Sequence, residues 1–229
     1  MSERCWIAFD AAGTLFDPVE PVANVYSRCF AKYAPEIPPA IWKQSFMMAF
    51  SQTPDPVYTD TASGNAVERE WWKTVVTHSA TAAGIDSSSV PINEIFEELF
   101  DHYAKGSAWL LFDDVVEVLT QFRDAGVGMV ITSNFDSRLN RILIELGISH
   151  YFEHIFTSAS VGARKPNPAI LHNFLLKTGA KLKKTCLVGD SEKADGSAAN
   201  AAGMGFFHLE RPERTLRNFE KWHKLHFFS

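Results

Sequence analysis

Between Trp109 and Leu209 the chain alternates short apolar runs with segments of helical periodicity. Val127 to Thr132, His154 to Thr157, Thr185 to Val188 and Gly205 to Leu209 read as strands, each bounded by turn residues. Between them, Ser137 to Leu146, Pro168 to Thr178 and Ala194 to Ala202 read as helices. A further helix, capped by Asp113 and carrying Val115, Val116, Leu119 and Phe122, precedes the first of these strands. Strands joined through helices can lie parallel, because a crossover must carry the chain back to the same edge. The pattern therefore predicts an α/β fold, a parallel sheet flanked by helices.

One strand stands apart. Cys5 to Phe9 is a short apolar run that ends in Asp10. Residues 17–108 separate it from the others and read almost purely as helix. Val22 to Ala34 has helical apolar spacing, and a second helix starts at Pro38-Pro39 and carries Trp42 and Phe46. A third follows Ser63 as N-cap, and a fourth runs from Pro91 to Ala104. The expected organisation is a sheet domain of residues 1–16 and 109–229, with an all-helical insertion at 17–108. The tail, Glu213 to His226, is helix-prone, with Leu216, Phe219 and Trp222 on one side to pack on the sheet domain.

Composition narrows the partners. The net charge is −5 with no basic run, which argues against nucleic acid. No apolar stretch approaches the roughly 18 residues of a membrane span, and no signal-like segment precedes the first strand. The three cysteines, Cys5, Cys29 and Cys186, are isolated, against a disulfide framework or a zinc site. The cytoplasm is the expected compartment, a small molecule the expected partner, and monomer or homodimer the expected state.

Polar residues gather at the strand tips. The first strand ends in Asp10, and Gly13 soon after permits a sharp turn or a close approach. Another ends in Ser133-Asn134, a loop carries Arg164-Lys165-Pro166, and another strand ends in Gly189-Asp190-Ser191 with Asp195 beyond. In open α/β sheets ligands bind outside the carboxyl ends of the strands. A carboxylate there can be a nucleophile or a metal ligand. Two carboxylates converging on a hard cation would make a Mg2+ site, and a lysine would supply a point charge for phosphate. Ser133 and nearby amides would offer anion donors. Each tip also has an ordinary reading: Ser133-Asn134 as a helix entry, Lys165 as a solvated loop lysine, Asp190 and Asp195 as helix caps. His78 and His102 read as surface or satisfied helix histidines, and the Trp71-Trp72 pair as core.

Four stretches together carry a resemblance. Asp10-Ala11-Ala12-Gly13-Thr14-Leu15, Ser133-Asn134-Phe135-Asp136, Lys165-Pro166-Asn167-Pro168 and Gly189-Asp190-Ser191-Glu192-Lys193-Ala194-Asp195 are similar to the four ordered motifs of the haloacid dehalogenase superfamily. The resemblance implies a Rossmann-like, three-layer α/β/α core with a helical cap inserted between the first two motifs. It implies Asp10 as a nucleophile that forms an aspartyl-phosphate. Mg2+ would be held by Asp10, Asp190 and the Ala12 carbonyl, with Asp195 in support, directly or through water. Ser133 and Asn134 would bind phosphate, and Lys165 would hold phosphate and nucleophile together.

One position departs from the pattern. Family phosphatases usually carry a second aspartate two residues after the nucleophile, as general acid and base, and here that residue is Ala12. Such help is worth roughly 10²–10⁴-fold in rate. The leading expectation is a Mg2+-dependent phosphatase of a small phosphorylated metabolite, slow or borrowing an acid such as Asp17 or Glu20. A weak or non-enzymatic binding protein is one alternative. A haloacid dehalogenase or phosphonatase is another, the latter requiring a cap lysine such as Lys32 or Lys43.

Overall fold

The structure, a computed structural model, describes residues 4–227. Five strands form one wholly parallel sheet: β1 (Trp6–Phe9), β4 (Gly128–Ser133), β5 (His154–Thr157), β6 (Thr185–Gly189) and β7 (Gly205–His208). Their order is β5-β4-β1-β6-β7. Strand residues alternate between two apolar layers, as the period of two requires. Ile7, Phe9, Met129 and Ile131 face α5 (Val115–Asp124), α6 (Arg138–Glu145) and α10 (Leu216–Phe227). Trp6, Ala8, Val130 and Leu187 face α8 (Ala169–Thr178) and α9 (Ser197–Ala202). Both faces are covered, so β1, β4 and β6 are buried throughout and read as continuous apolar runs. The expected α/β/α layering is observed.

Four helices lie between Phe16 and Leu111: α1 (Val22–Phe30), α2 (Pro39–Gln52), α3 (Gly64–Ala82) and α4 (Ile92–His102). They enclose an apolar cluster of their own around Tyr26, Phe30, Trp42, Val76 and Phe96. The chain leaves and re-enters the sheet layer through a two-stranded antiparallel ribbon, β2 (Phe16–Pro18) on β3 (Trp109–Leu111). Local sequence carries no sign of this ribbon. A three-residue strand is too short for a period-two signal, and its partner lies far along the chain.

Helix α3 docks on the sheet layer by close approach. Gly64 lies against the Ala159 carbonyl, where a Cβ would overlap it. Asn65 Oδ1 accepts the Ser137 N–H at 2.9 Å. The carboxylate of Glu68, fully buried, accepts from the hydroxyls of Tyr58 and Ser158, and its other oxygen lies 3.6 Å from the Arg164 guanidinium. No described helix is long and apolar enough to cross a membrane.

Three local expectations need correction. Asp114, not Asp113, occupies the N-cap position of α5, and its buried carboxylate turns to the Arg211 guanidinium and to Leu216 N–H, the first residue of α10. Two adjacent aspartates are indistinguishable as caps in sequence, and burial chose between them. The helix expected from Ala194 begins as a π-turn, Glu192–Gly196, before α9. Ser63 precedes α3 without a side-chain cap, and Asp60 Oδ1 instead accepts the Ser63 N–H at 2.7 Å.

Candidate active site

The sheet order explains where the site lies. From β1 the chain steps one way to β4 and β5, then returns to the other side for β6 and β7. The order reverses beside β1, and crevices at such reversals receive ligands. Phe9 pairs with both Ile131 and Val188, so the next residues, Asp10, Thr132 and Gly189, arrive at one edge. Asp10 N–H closes the register on the Val188 carbonyl at 2.9 Å.

Lys165 comes from the loop between α7 (Ser158–Val161) and α8. Asn134 holds its main chain from both sides: Oδ1 accepts Lys165 N–H at 2.7 Å, and Nδ2 donates to the Lys165 carbonyl at 2.8 Å. The Nζ then reaches Asp10 Oδ1 at 2.6 Å, Asp195 Oδ1 at 2.5 Å and the Thr132 carbonyl at 2.7 Å. Two oxygens accept its hydrogen bonds and the Asp195 carboxylate pairs with its charge, which permits an ammonium in a side chain almost wholly buried. Burial opposes the ammonium, but Asp10 and Asp195 outweigh it and hold the lysine pKa above its ordinary range.

Asp10, Asp190 and Asp195 offer oxygens that all lie within 4.8 Å of one another. Gly13, at φ +83°, wraps the loop over Asp190, where a Cβ would sit 2.5 Å from a carboxylate oxygen. Thr14 Oγ1 donates to Asp190 at a long 3.5 Å. The π-turn folds Asp195 back, and Ser191 N–H donates to its Oδ2 at 3.2 Å. Gly189 leaves room for that carboxylate, since a Cβ there would overlap it. Burial raises Asp10 to about 6 against the pull of Lys165, with Asp195 adding to the rise. Burial, then the Asp10 charge, raises Asp190 to about 6 as well.

A cavity of about 810 Å³ opens over Ala12, Gly13 and Asp190. Its far walls are helical and aromatic, including Phe46 of α2, Trp72 of α3 and Phe96 of α4. The same walls hold Asp17 and Arg138.

A family model for haloacid dehalogenase-like hydrolases matches residues 6–203. The chain belongs to this family. The human haloacid dehalogenase-like hydrolase domain-containing protein 3 is 26% identical over 207 residues, 90% of this chain and 82% of that protein. The phosphoglycolate phosphatase of Pectobacterium atrosepticum is 35% identical over 124 residues, 53% of either chain. A crystal structure of an L-2-haloacid dehalogenase superposes with a TM-score of 0.68 at 19% identity, covering 97% of this chain and all of that one. That likeness shows the fold.

In this haloacid dehalogenase-like hydrolase, Asp10, Lys165, Asp190 and Asp195 are drawn together, and Ala12 lies on the cavity wall beside them. Ser133 is buried at the last position of β4. The Asn134 side chain is committed to the Lys165 main chain, and Asn134 is not among the residues that line the cavity. Trp71 is core, with its indole N–H on the Pro54 carbonyl and the Arg164 guanidinium 4.1 Å above its ring. Trp72 corrects the reading of the pair, since it lines the cavity. His78 is satisfied by Thr53 Oγ1 at 3.0 Å. Sequence reasoning missed the Thr132 carbonyl, which as a main-chain group carries no residue-type signal. It also missed Arg138, whose place on the wall depends on how α6 meets the inserted helices.

Proposed function

We propose that the chain is a Mg2+-assisted phosphatase of small phosphorylated molecules, working through an aspartyl-phosphate at Asp10. The observation that carries it is the Asp10 carboxylate bonded by Lys165, with Asp195 and Asp190 beside it and Asp190 on the cavity wall. The phosphatase names among its relatives support the same reaction class. Residues 17–108 then serve as the cap. The cysteines Cys5, Cys29 and Cys186 are buried and unpaired, which supports a cytoplasmic setting.

The donor set fits a hard divalent cation. It is all oxygen, it is crowded with negative charge, and burial, with the carboxylates' mutual repulsion, pushes two of its members to about 6. Asp10, Asp190 and the Ala12 carbonyl would hold the ion, with Asp195, already paired to Lys165, in support. When bound, Mg2+ supplies positive charge against the phosphoryl oxygens. Lys165 fixes Asp10 for attack and adds its charge at the same place. Ser133 and the adjacent main chain at the β4 tip supply phosphate donors. Asn134 sets the position of Lys165. Lys32, exposed and paired with Glu98 at 2.7 Å, and Lys43, also exposed, are both absent from the cavity wall. That arrangement argues against Schiff-base chemistry on a phosphonate.

Two predictions follow from this site. Protons and the cation compete for Asp10 and Asp190. Mg2+ affinity should therefore climb with pH below about 6, approaching about a hundredfold per pH unit where both are protonated, and level off above about pH 7. Calorimetric titration would read this, and a flat profile from pH 5 to 8 would remove these carboxylates from the ligand set. The second prediction tests the function itself. Across aryl and alkyl phosphates with Mg2+, wild-type rates should fall steeply as the leaving group becomes more basic, and Ala12→Asp should flatten the slope. Gains of about 10²-fold or more are expected on the poorest leaving groups. No turnover of any member by either protein would refute the aspartyl-phosphate reading.

A further inference from the structure

The cavity above Asp190 is built for an aromatic guest. Phe46, Phe50, Trp72, Phe96, Phe100 and Trp109 line it, drawn from α2, α3, α4 and β3. Several of these rings brace one another: Phe50 lies 5.8 Å from Phe46 and from Trp72, and Phe96 lies 5.3 Å from Phe100. Flat apolar walls favour a flat apolar ligand, through burial and through offset or edge contacts between rings.

The charges on the wall point the same way. Among the described residues that line the cavity, Arg138 is the one cation, and it is already engaged. It forks onto Asp136, with 2.8 Å bonds from Nε and from a terminal nitrogen, and its guanidinium lies 3.6 Å from the Phe100 ring centre. With its charge met by Asp136 and one face covered by Phe100, it is a weak partner for a second anionic group on a substrate. Asp17 would repel such a group.

A third observation is independent of the walls. The loop from Ala11 to Leu15 carries no acid. Asp10, Asp190 and Asp195 form the negative cluster, and Asp10 and Asp195 are bonded to Lys165. The other wall acid, Asp17, is exposed on the β2–β3 ribbon. A leaving group that departs without a proton from the loop must be a weak base. Phenolates, with conjugate acids near a pKa of about 10, meet that need, and alkoxides do not.

We propose that the ester this cavity receives is an aryl phosphate, with its aromatic ring among the cap rings and its phenolic oxygen leaving unprotonated. The inference rests on the phosphatase reading and narrows it. Asp10 attacks phosphorus, the P–O(aryl) bond breaks, and its electron pair leaves on the phenolate. Water then attacks the same phosphorus, the bond to Asp10 breaks, and dihydrogen phosphate departs. The phenolate takes its proton from solvent, and Asp10 is restored as a carboxylate.

The test compares 1-naphthyl phosphate, cyclohexylmethyl phosphate and glycerol 3-phosphate with Mg2+, on wild type, Asp10→Asn and Phe50→Ser. Phe50 is 46% exposed and Met47 is 59% exposed, so Phe50→Ser and Met47→Ser alter the wall with little risk to folding. The naphthyl ester should exceed the other two in kcat/KM by about 100-fold or more, entirely through Asp10. Phe50→Ser should raise its KM about tenfold, and Met47→Ser should raise it in the same direction. Asp10-dependent turnover of either alkyl ester at the naphthyl rate would overturn the inference and leave the phosphatase standing. Loss of that alkyl turnover in Asp17→Asn would then identify the acid responsible. If no ester turns over, the phosphatase reading falls, and 1-naphthol binding, read by tryptophan fluorescence, decides the cavity. Binding weakened by Phe50→Ser keeps the aromatic assignment, and no binding overturns it too.

Discussion

Asp10→Asn is expected to reduce Mg2+-dependent phosphate ester hydrolysis by at least about 10⁴-fold while raising the stability of the metal-free protein. An amide nitrogen or oxygen is a poor nucleophile toward phosphorus, and loss of a nucleophile commonly costs this much or more. The stability gain follows from the carboxyl's surroundings. Asp10 titrates near 6, above its ordinary 3.8, even with Lys165 beside it. A carboxyl whose pKa is raised on folding disfavours the fold once it ionises. The cost is absent below about pH 4 and is fully present above about pH 6. At pH 7 in chelator, Asp10→Asn should therefore be more stable by about 1–3 kcal/mol, with the difference vanishing near pH 4. Lys165 keeps Asp195 and the Thr132 carbonyl. Denaturant titration at the two pH values checks the stability, and wild-type turnover in the variant would place the nucleophile elsewhere.

Arg164→Leu should destabilise the protein by about 3–5 kcal/mol, because it strands the Glu68 carboxylate in a buried site. For a chain of this length that lowers Tm by roughly 10 °C. Glu68 would keep the Tyr58 and Ser158 hydroxyls but lose its cation. The guanidinium also covers the Trp71 ring at 4.1 Å, so the intrinsic fluorescence should shift as well. Adding Glu68→Leu should restore much of the loss, since a buried ion pair replaced whole by apolar groups is often close to neutral. A double variant as unstable as Arg164→Leu alone would mean that the cost is lost packing on Trp71 and not an orphaned charge. Because Arg164 precedes Lys165 and faces α3, the same contact ties the position of the inserted helices to the loop that carries Lys165.

Much of this was legible in the chain. His154–Thr157 appears as a strand with the bounds read for it, β1, β6 and β7 differ by a residue at one end, and β4 is shifted by one residue at both. The central strands β1, β4 and β6 are buried on both faces, so their apolar runs are uninterrupted and bounded by turn residues. Asp10, Lys165 and Asp190 stood out because each ends or follows such a run. The misses share a cause. The β2–β3 ribbon, the choice of Asp114 over Asp113, and the cavity roles of Trp72 and Arg138 depend on partners distant in sequence, and no local period reports them.

The sequence by itself determined the parallel sheet, the helical insertion and the set of polar residues at the strand tips, because backbone periodicity and turn chemistry act over a few residues. Only the tertiary structure decided which groups Lys165 binds, which side chains are spent on one another, and what surrounds the cavity. Those outcomes follow from register and from burial. The pairing of Phe9 with Ile131 and Val188 brings separate carboxylates to one edge, and desolvation there lifts Asp10 and Asp190 far from their ordinary acidity.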